Sequence, residues 1–489
     1  MDGDRMQALL KAMLKDKAIK EIADRYGAKK ARTLAYGLAG TQKHTAVAAC
    51  FSLAGPLTII VSDQQELNQW KDDLGCLLPE IEVLELPVLD MAEFNAAAKG
   101  IHRLARRMDV LGRLLQGEQC IVLATVEAAM QKGIGTREYR ELSLSLHTGE
   151  VLEREELLKQ LVKLGYERND QVEMAGDFSV RGGIVDVFPL NSPHPYRIEF
   201  FDNEIESIRQ FNIATQRSMG QLEAVEILPF GGVADKQKKY CFGDFLPENG
   251  RVIIDEPLKA REESIKLLKE NPDIKTRMFS WDELVENLQG RNMLLLSLIL
   301  SDLHGIKPDK IISVQIQGIT SYQKQMNILL SETGDWLAEG RSILMVLGDK
   351  AKAQAMREQL ARNRLASVEA NGEEPLKNGR VNIVQGALLN GFELSGANLV
   401  VITEKDIFGR QKKRLNRVSS EERISHFREI NVGDYVVHNQ HGIGKYLGVK
   451  TMEIEGIRRD YLRIQYGGDD QLYVPTDQVG MLQKYIGAE

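Results

Sequence analysis

The sequence predicts a multidomain α/β protein: a parallel α/β domain with an inserted α+β module, a second small α/β domain, and a C-terminal small β-barrel. Short apolar strands alternate with helical segments before residue 135 and again after residue 216, which indicates a parallel, doubly wound sheet. Around residues 178–211 and beyond residue 430, strand runs are instead joined by short turns rich in glycine or Asp-Asn, which indicates antiparallel pairing. The length of 489 residues is sufficient for several domains.

Composition excludes several classes of protein. A formal net charge of −7 and a hydrophobic content of 43% are typical of folded, water-soluble chains. The longest apolar run, at residues 293–300, is much shorter than the about 18 residues of a membrane span, and the N-terminus has no signal-peptide core. The four cysteines form no CxxC pair, which favours a cytoplasmic protein. We expect a monomer. We also expect no metal site, since His438 and His441 have no third ligand nearby.

Residues 1–135 are predicted to form the first part of the parallel domain. Apolar residues recur at helical spacing over residues 5–27. A loop at residues 36–45 leads into an apolar helix, and the remaining segments alternate as expected: strands at 57–62, 82–87 and 120–125, helices at 63–74 and 101–115. The last helix is basic (Arg103, Arg106, Arg107, Arg113), so it is either a solvated face or a DNA contact.

The loop, YGLAGTQKHT, almost matches the phosphate-binding pattern G-x-x-x-x-G-K-[ST]. Gln42 stands where the second glycine belongs and His44 where the Ser/Thr belongs. A Gln42 side chain would crowd the phosphates, and an imidazole is a poor ligand for magnesium. No convincing acidic pair after an apolar strand, the Walker-B signature, is found in this block. We predict a degenerate nucleotide loop without ATP hydrolysis, the alternative being an ordinary strand–loop–helix connection; its residues are Gly37, Gly40, Gln42, Lys43, His44 and Thr45.

Residues 136–215 are predicted to form the inserted α+β module. A helix is expected at 151–164, two strand runs surround Gly182 and Gly183, and residues 195–211 form a hairpin with Asp202 and Asn203 in its turn. Residues 216–310 return to the α/β pattern and complete the first domain, with a strand at 251–255 and a charged helix after it.

The last three segments are predicted with less detail. Residues 311–408 form a small α/β domain of unknown role that begins with the strand IISVQI. Residues 409–429 form a charged connector, which is a solvated tether or a contact to DNA or a neighbouring domain. Residues 430–489 contain short strands with glycine turns, as in small barrels.

Three stretches together resemble a known family. They are GLAGTQKHT at 37–45, GYERNDQVEMAGDFSVRGGIVDVFPLNSPHPYRIEFFDNEIESIR at 165–209, and VGDYVVHNQHGIGKYLGV with DYLRIQYGGDDQLYVP within 432–475. In this order they resemble the bacterial transcription-repair coupling factors. The middle stretch also resembles the excision-repair helicase subunit UvrB, and the last resembles the CarD family of RNA-polymerase-binding proteins.

The resemblance implies a division of labour along a longer protein. The first domain would be UvrB-like with a degenerate nucleotide site, and the C-terminal barrel would be SH3/Tudor-like. Family members continue into an ATP- and magnesium-dependent translocase that moves on double-stranded DNA. We therefore expect this chain to be the N-terminal, non-motor portion, without a cofactor and without enzymatic activity. We also expect weak or no damage recognition, because no long aromatic hairpin is seen at residues 88–100.

The resemblance also implies two protein partners. Arg168 and Arg181 match arginines with which UvrB-like proteins bind UvrA, and planar guanidinium groups suit carboxylate partners. The C-terminal block would bind the β subunit of RNA polymerase through an edge strand, with Met452 as an apolar contact. The residues expected at this edge are Lys445, Leu447, Val449, Lys450, Met452 and Glu453.

The implied function is transcription-coupled DNA repair. The chain would bind RNA polymerase stalled at DNA damage and recruit nucleotide excision repair through UvrA. Two alternatives stay open at this point: a UvrB-type DNA-dependent ATPase, and a CarD-like transcription regulator with an unrelated α/β body.

Overall fold

The computed structural model describes most of the chain. The described residues are 6–28, 30–51, 56–89, 98–189, 191–213, 215–228, 240–301, 303, 305–370, 374–409, 433, 435–438, 442–454, 457–465, 471–475 and 482–484. The chain divides into two compact units, Met1–Gly409 and Arg410–Glu489. The connector predicted at 409–429 lies, apart from Gly409, outside the described residues, as do residues 90–97.

The first unit contains all the described α-helices. They are α1 (Gln7–Met13), α2 (Lys17–Tyr26), α3 (Thr41–Phe51), α4 (Gln64–Leu77), α5 (Ala98–Gln116), α6 (Val126–Met130), α7 (Thr136–Leu142), α8 (Arg154–Lys163), α9 (Pro257–Glu270), α10 (Trp281–Asn287), α11 (Met326–Ala338), α12 (Lys350–Arg362) and α13 (Glu404–Phe408). No helix among the described residues has the length and apolar character needed to cross a bilayer.

The strands of the first unit form three larger sheets and one two-stranded sheet. They are β1 (Arg32–Tyr36), β2 (Leu57–Val61), β3 (Val83–Leu86), β4 (Ile121–Thr125), β5 (Leu144–His147), β6 (Glu167–Arg168), β7 (Asp177–Arg181), β8 (Ile184–Val187), β9 (Tyr196–Phe201), β10 (Glu204–Phe211), β11 (Ser218–Leu222), β12 (Ala224–Ile227), β13 (Arg251–Asp255), β14 (Asn292–Ser297), β15 (Lys310–Ser313), β16 (Ile316–Gly318), β17 (Ser342–Leu347), β18 (Ser367–Glu369), β19 (Val381–Gln385), β20 (Phe392–Leu394) and β21 (Leu399–Thr403).

The first sheet is parallel throughout, with the order β15-β1-β14-β13-β2-β4-β3. One face packs on α1–α4 and the other on α5, α6, α9 and α10. Because both faces are covered, the central strands are continuous apolar runs such as Leu57–Val61. The predicted α/β class with a parallel sheet is confirmed.

The helix expected at residues 5–27 is in fact two helices. Asp16 interrupts the pattern because its carboxylate accepts the backbone N–H groups of Ala18 at 2.8 Å and Ile19 at 3.0 Å. A side chain that accepts these N–H groups starts a new helix at that point. Apolar spacing continued across the break and concealed it.

The inserted module forms a six-stranded sheet of order β11-β10-β9-β8-β7-β6, antiparallel except for the β6–β7 pair. Helix α8 covers one face through Leu157 and Leu161, which pack with Phe178, Val185 and Ile198. The strands β5 and β12, where the chain enters and leaves the module, pair with each other. The two crossings therefore lie side by side, as an insertion requires.

The second α/β sheet has the order β16-β20-β21-β17-β19-β18. One face packs on α11 and α12. The other face packs on α1–α4, so this helix layer lies between the two sheets and shares one hydrophobic core with both. The strand expected over IISVQI is divided: β15 pairs with β1 in the first sheet, whereas β16 pairs with β20 in the second.

The second unit is an antiparallel sheet of order β25-β24-β23-β22-β26. Its strands are β22 (Tyr435–His438), β23 (Gly442–Ile454), β24 (Ile457–Gln465), β25 (Gln471–Pro475) and β26 (Leu482–Lys484). Among the strands that the structure describes, no β25–β26 pair closes this sheet into a barrel.

Candidate functional site

The degenerate loop lies at the carboxyl edge of the first sheet, between β1 and α3. Gly37 and Gly40 have φ values of +92° and +48°, which glycine adopts without strain. A Cβ at position 37 would lie 2.3 Å from the carbonyl oxygen of Val314, so a glycine is required there. The position and backbone form of a phosphate-binding loop are therefore present.

Several backbone amides of this loop are hydrogen-bonded to the protein itself. The N–H of Ala39 donates to Gln42 Oε1 at 3.0 Å, and the N–H of Gly37 donates to the carbonyl of Ser297 at 3.0 Å. The N–H groups of Gln42 and Lys43 donate to carbonyls within the loop. A phosphate is bound by loop amides that point outward and are free to donate. The Gln42 side chain thus occupies one of the donors that a phosphate would use.

The ammonium group of Lys43 is paired with carboxylates inside the fold. Its Nζ lies 2.6 Å from Asp255 Oδ1 and 3.6 Å from Glu256 Oε1. The side chains of Lys43 and Asp255 are 5% and 2% exposed. Trp70 completes the arrangement, since its Nε1 donates to the other oxygen of Asp255 at 2.8 Å. Lys43, which stands at the position of a phosphate-binding lysine, is therefore bound to the carboxylate at the end of β13.

This carboxylate corrects one expectation from the sequence. The apolar strand β13 ends at Asp255 and Glu256 follows it, so an acidic pair of the Walker-B kind is present in the first domain. The corresponding sequence signal is RVIIDE at residues 251–256. The partners Trp70 and Asp73 carried no sequence signal, because they lie on α4 and reach the loop through the fold.

A second buried carboxylate, Asp73, organises the start of α3. It accepts hydrogen bonds from Thr41 Oγ1 at 2.8 Å, from His44 Nδ1 at 2.6 Å and from the N–H of Leu389 at 2.9 Å. Because a carboxylate oxygen only accepts, His44 Nδ1 is the donor in its contact with Asp73. The hydroxyl of Thr45 donates within α3 to the carbonyl of Thr41 at 2.7 Å, so this hydroxyl is engaged inside the helix.

The second α/β sheet covers the loop. The N–H of Asn390 donates to Thr41 Oγ1 at 3.0 Å, next to the contact between Leu389 and Asp73. We call these contacts of Thr41 and Asp73 with Leu389 and Asn390 the joint. Helix α3 is buried along its whole length as a result. The degenerate loop is thus part of the packing between two sheets.

Arg168 and Arg181 lie at one edge of the inserted module. Arg168 is in the edge strand β6, Arg181 ends the neighbouring β7, and both are exposed. Arg181 Nη2 donates to the carbonyl of Asp170 at 3.3 Å. Among the described residues, neither arginine has a carboxylate within ion-pair distance. Register places Arg168 beside the buried Phe178, whereas Arg181 is three residues further along β7 and therefore on the opposite face.

Two further arginines on that opposite face, Arg197 and Arg209, have carboxylate partners within the module. Arg197 donates to both oxygens of Asp186 at 2.8 Å and lies over the ring of Phe211. The hydrogen bond with Asp186 raises the pKa of Arg197. Burial acts to raise the pKa of Glu199, but hydrogen bonds from Ser207 and Arg209 outweigh it and lower that pKa. This face is therefore a pre-ordered polar surface.

In the second unit, the strand predicted to be an edge has two neighbouring strands over only part of its length. Lys445 pairs with Tyr435 on one side and Gln465 on the other. From Val449 onward, β23 pairs with β24 alone among the described strands. Met452 and Glu453 lie in this stretch as strand positions; Lys445, Lys450 and Val449 are exposed, and Leu447 is half-buried. Tyr446 is buried.

Two of the four arginines of the basic helix α5 are engaged inside the fold, whereas Arg103 and Arg106 are exposed. Arg107 is buried and donates to the carbonyls of Pro87 and Ala128, and burial lowers its pKa to about 10. Arg113 pairs with Glu82 and Glu118. Both arginines therefore have structural roles, which removes the basis for a DNA contact at these two positions.

Comparison with known families finds two matching domains. The family model described as "UvrB interaction domain" matches residues 144–231, which contain the inserted sheet. The model described as "CarD-like/TRCF RID domain" matches residues 430–486, which are the second unit.

Comparison with curated proteins finds transcription-repair-coupling factors. The one from Bacillus subtilis (strain 168) is 31% identical over 529 aligned residues, covering 93% of this chain and 45% of that protein. The one from Staphylococcus aureus (strain MRSA252) is 28% identical, covering 94% of this chain and 46% of that protein. The chain thus spans about half the length of the curated relatives it matches.

Proposed function

Because this chain belongs to the transcription-repair-coupling factor family, we propose that it is a scaffold linking stalled RNA polymerase to nucleotide excision repair. The family resemblance seen in the sequence is confirmed by these matches. In the whole protein, the scaffold would work with translocation on double-stranded DNA driven by ATP and magnesium. The observation that carries the proposal is the presence of two interaction domains on one chain whose nucleotide loop is filled by its own side chains.

The inserted module is proposed to bind UvrA through Arg168 and Arg181. Both guanidinium groups are exposed, lack a carboxylate partner among the described residues, and stand on a rigid sheet edge. A separate carboxylate of the partner would pair with each guanidinium group through two parallel hydrogen bonds. Arg181→Glu should abolish co-elution with UvrA, and Arg217→Glu, next to β11 at the opposite edge of the sheet, should not. Equal retention of UvrA by both variants would contradict this assignment.

The second unit is proposed to bind the β subunit of RNA polymerase through the part of β23 that pairs with β24 alone among the described strands. An edge strand binds a partner strand by main-chain hydrogen bonds, and side chains add specificity. We propose that Met452 is the apolar contact and that the five-stranded sheet closes as an SH3/Tudor-like barrel. Met452→Arg should weaken polymerase capture because it brings an unpaired charge into the contact. Gln471→Arg, which adds a charge on the edge strand β25, should leave capture unchanged.

The same sample tests the rival function, a UvrB-type ATPase. Since Lys43 is paired with Asp255 and the loop amides are engaged, we expect no ATP turnover by the 489-residue chain, with or without DNA. The decisive experiment is a two-bait capture with UvrA and the polymerase β subunit, combined with an ATPase assay. Turnover without capture of either partner would favour the ATPase, and capture of polymerase alone would favour the CarD-like regulator.

A further inference from the structure

We propose that Phe201 is the aromatic anchor with which the inserted module enters an apolar socket of its partner, beside a carboxylate that pairs with Arg181. This inference rests on the proposed function of the module, because it names the chemistry of the surface that UvrA would present. It adds an apolar residue to a site so far defined by arginines.

Phe201 is exposed although it is aromatic and lies in a strand. Its side chain is 73% exposed at the end of β9, on the face opposite the buried Ile198 and the half-buried Phe200. Val151, which is 78% exposed, lies close by: it bridges to Glu204, and Glu204 pairs with Phe201 on its other side. Directly opposed residues of antiparallel strands share a face, with Cβ atoms about 5 Å apart. Val151 and Phe201 therefore flank one carboxylate on the solvent face.

The neighbouring β7–β8 turn leaves the ring of Phe201 accessible. Gly182 has a φ of +61°, and a Cβ on Gly183 would lie 2.9 Å from the carbonyl oxygen of Phe200. The N–H of Phe200 donates to the carbonyl of Gly183 at 2.8 Å, which fixes this turn against β9. Arg154 donates to the carbonyl of Gly182 from α8. A rigid turn without side chains thus borders the ring, so that a partner can approach it closely.

The charges around Phe201 indicate the chemistry of the partner. Arg181, Ile184 and Glu199 lie in one row across the strands, and Phe201 is two residues beyond Glu199 on the same face. Arg197 and Arg209 already have carboxylate partners, whereas Arg181 has none among the described residues. Arg181 lies two strands away from Phe201 on the same face, and an exposed aromatic residue combined with an arginine is the composition of binding hot spots. Because Glu204 lies directly opposite Phe201, the matching surface is an apolar socket with a basic group facing Glu204 and a carboxylate facing Arg181.

The test is a titration of UvrA with the full 489-residue chain and three variants. Phe201→Ala should weaken binding at least tenfold, and Phe201→Leu, which keeps an apolar side chain, should recover part of the loss. Val162→Ala is the matched control, because Val162 is 61% exposed on α8, the helix that covers the other face of the sheet. Thermal unfolding of each variant shows whether the module remains folded. Since Phe201 is exposed, we expect the melting temperature of both Phe201 variants to equal that of the native chain.

The outcomes separate this inference from the function on which it rests. If the native chain binds UvrA and Arg181→Glu abolishes binding, but Phe201→Ala binds like the native chain, the anchor is overturned and the proposed function stands. An equal loss for Val162→Ala also overturns the anchor. If the native chain does not bind UvrA, both the function and the anchor fail.

Discussion

Lys43 retains the position of a phosphate-binding lysine, but its partner is a carboxylate of the same chain. The pair that it forms with Asp255 is almost completely buried. Because water has little access to either group, each charge is stabilised mainly by the other. Lys352 on α12 forms a comparable pair with Glu404 on α13 at 2.8 Å, but those side chains are partly exposed. The two pairs have similar geometry and differ in access to water, which makes them a natural comparison.

At this scale we predict that Lys43→Met destabilises the first unit much more than Lys352→Met does. The first change leaves the buried Asp255 without its counter-charge, which costs about 3–5 kcal/mol. The second leaves Glu404 in partial contact with water, for which about 0–1 kcal/mol is expected. Urea unfolding of each variant, followed by circular dichroism, measures the difference. If both variants shift the unfolding midpoint equally, the buried Lys43 pair contributes no more to stability than the partly exposed Lys352 pair, which contradicts the prediction.

At the scale of elements, the helix layer α1–α4 is central because both sheets of the first unit pack on it. Helix α3 is the clearest case: all of its residues are buried, including five polar ones at its start. The joint, the Asp255 pair and bonds within the loop satisfy most of those polar atoms, whereas His44 Nε2 is buried without a hydrogen-bond partner among the described residues. The degenerate loop has thus become part of the connection between two sheets.

We predict that Asp73→Ala loosens the joint and exposes the thiol of Cys76. This thiol accepts a hydrogen bond from the N–H of Ala387 at 3.3 Å, and burial raises its pKa, so little reactive thiolate is present at neutral pH. Opening the joint would return the pKa towards its ordinary value and increase alkylation. Iodoacetamide labelling with peptide mass spectrometry measures this rate, and the fully buried Cys50 is the internal reference.

The matched variant for this experiment is Asp349→Ala. Asp349 is likewise a carboxylate that accepts a backbone N–H, that of Lys352, but it caps α12, which packs on the other face of the second sheet. We expect Asp349→Ala to leave Cys76 labelling unchanged. If both variants label Cys76 at the same rate, the joint does not control access to this thiol.

For the whole molecule, the main feature is the division into two units at residue 409. The proposed UvrA surface lies in the first unit and the proposed polymerase surface in the second. Each unit has its own sheets, so we infer that the two binding activities are separable.

We therefore predict that a fragment of residues 1–409 retains UvrA and a fragment of residues 430–489 retains the polymerase β subunit. Each should bind within about threefold of the 489-residue chain, a difference below about 1 kcal/mol. Surface-immobilised titrations of both fragments against both partners measure this. Loss of UvrA binding by a folded 1–409 fragment would mean that the second unit contributes to that surface.

The sequence alone determined the elements and the family. Strands such as Leu57–Val61 and the hairpin around Asp202 follow from local periodicity and turn chemistry, and the order of three motifs identified the relatives. These signals are local because apolar spacing and turn residues act within a few positions along the chain.

The tertiary structure decided which distant residues meet. Nothing near Lys43 in sequence indicates that Asp255, more than 200 positions later, is its partner, or that Leu389 binds Asp73. Strand pairing places β15 in the first sheet and leaves β24 as the one described neighbour of β23 from Val449 onward. The apolar pattern of a single strand does not encode such pairing. Side-chain type is written in the sequence, whereas burial and pairing arise only when the sheets enclose a common helix layer.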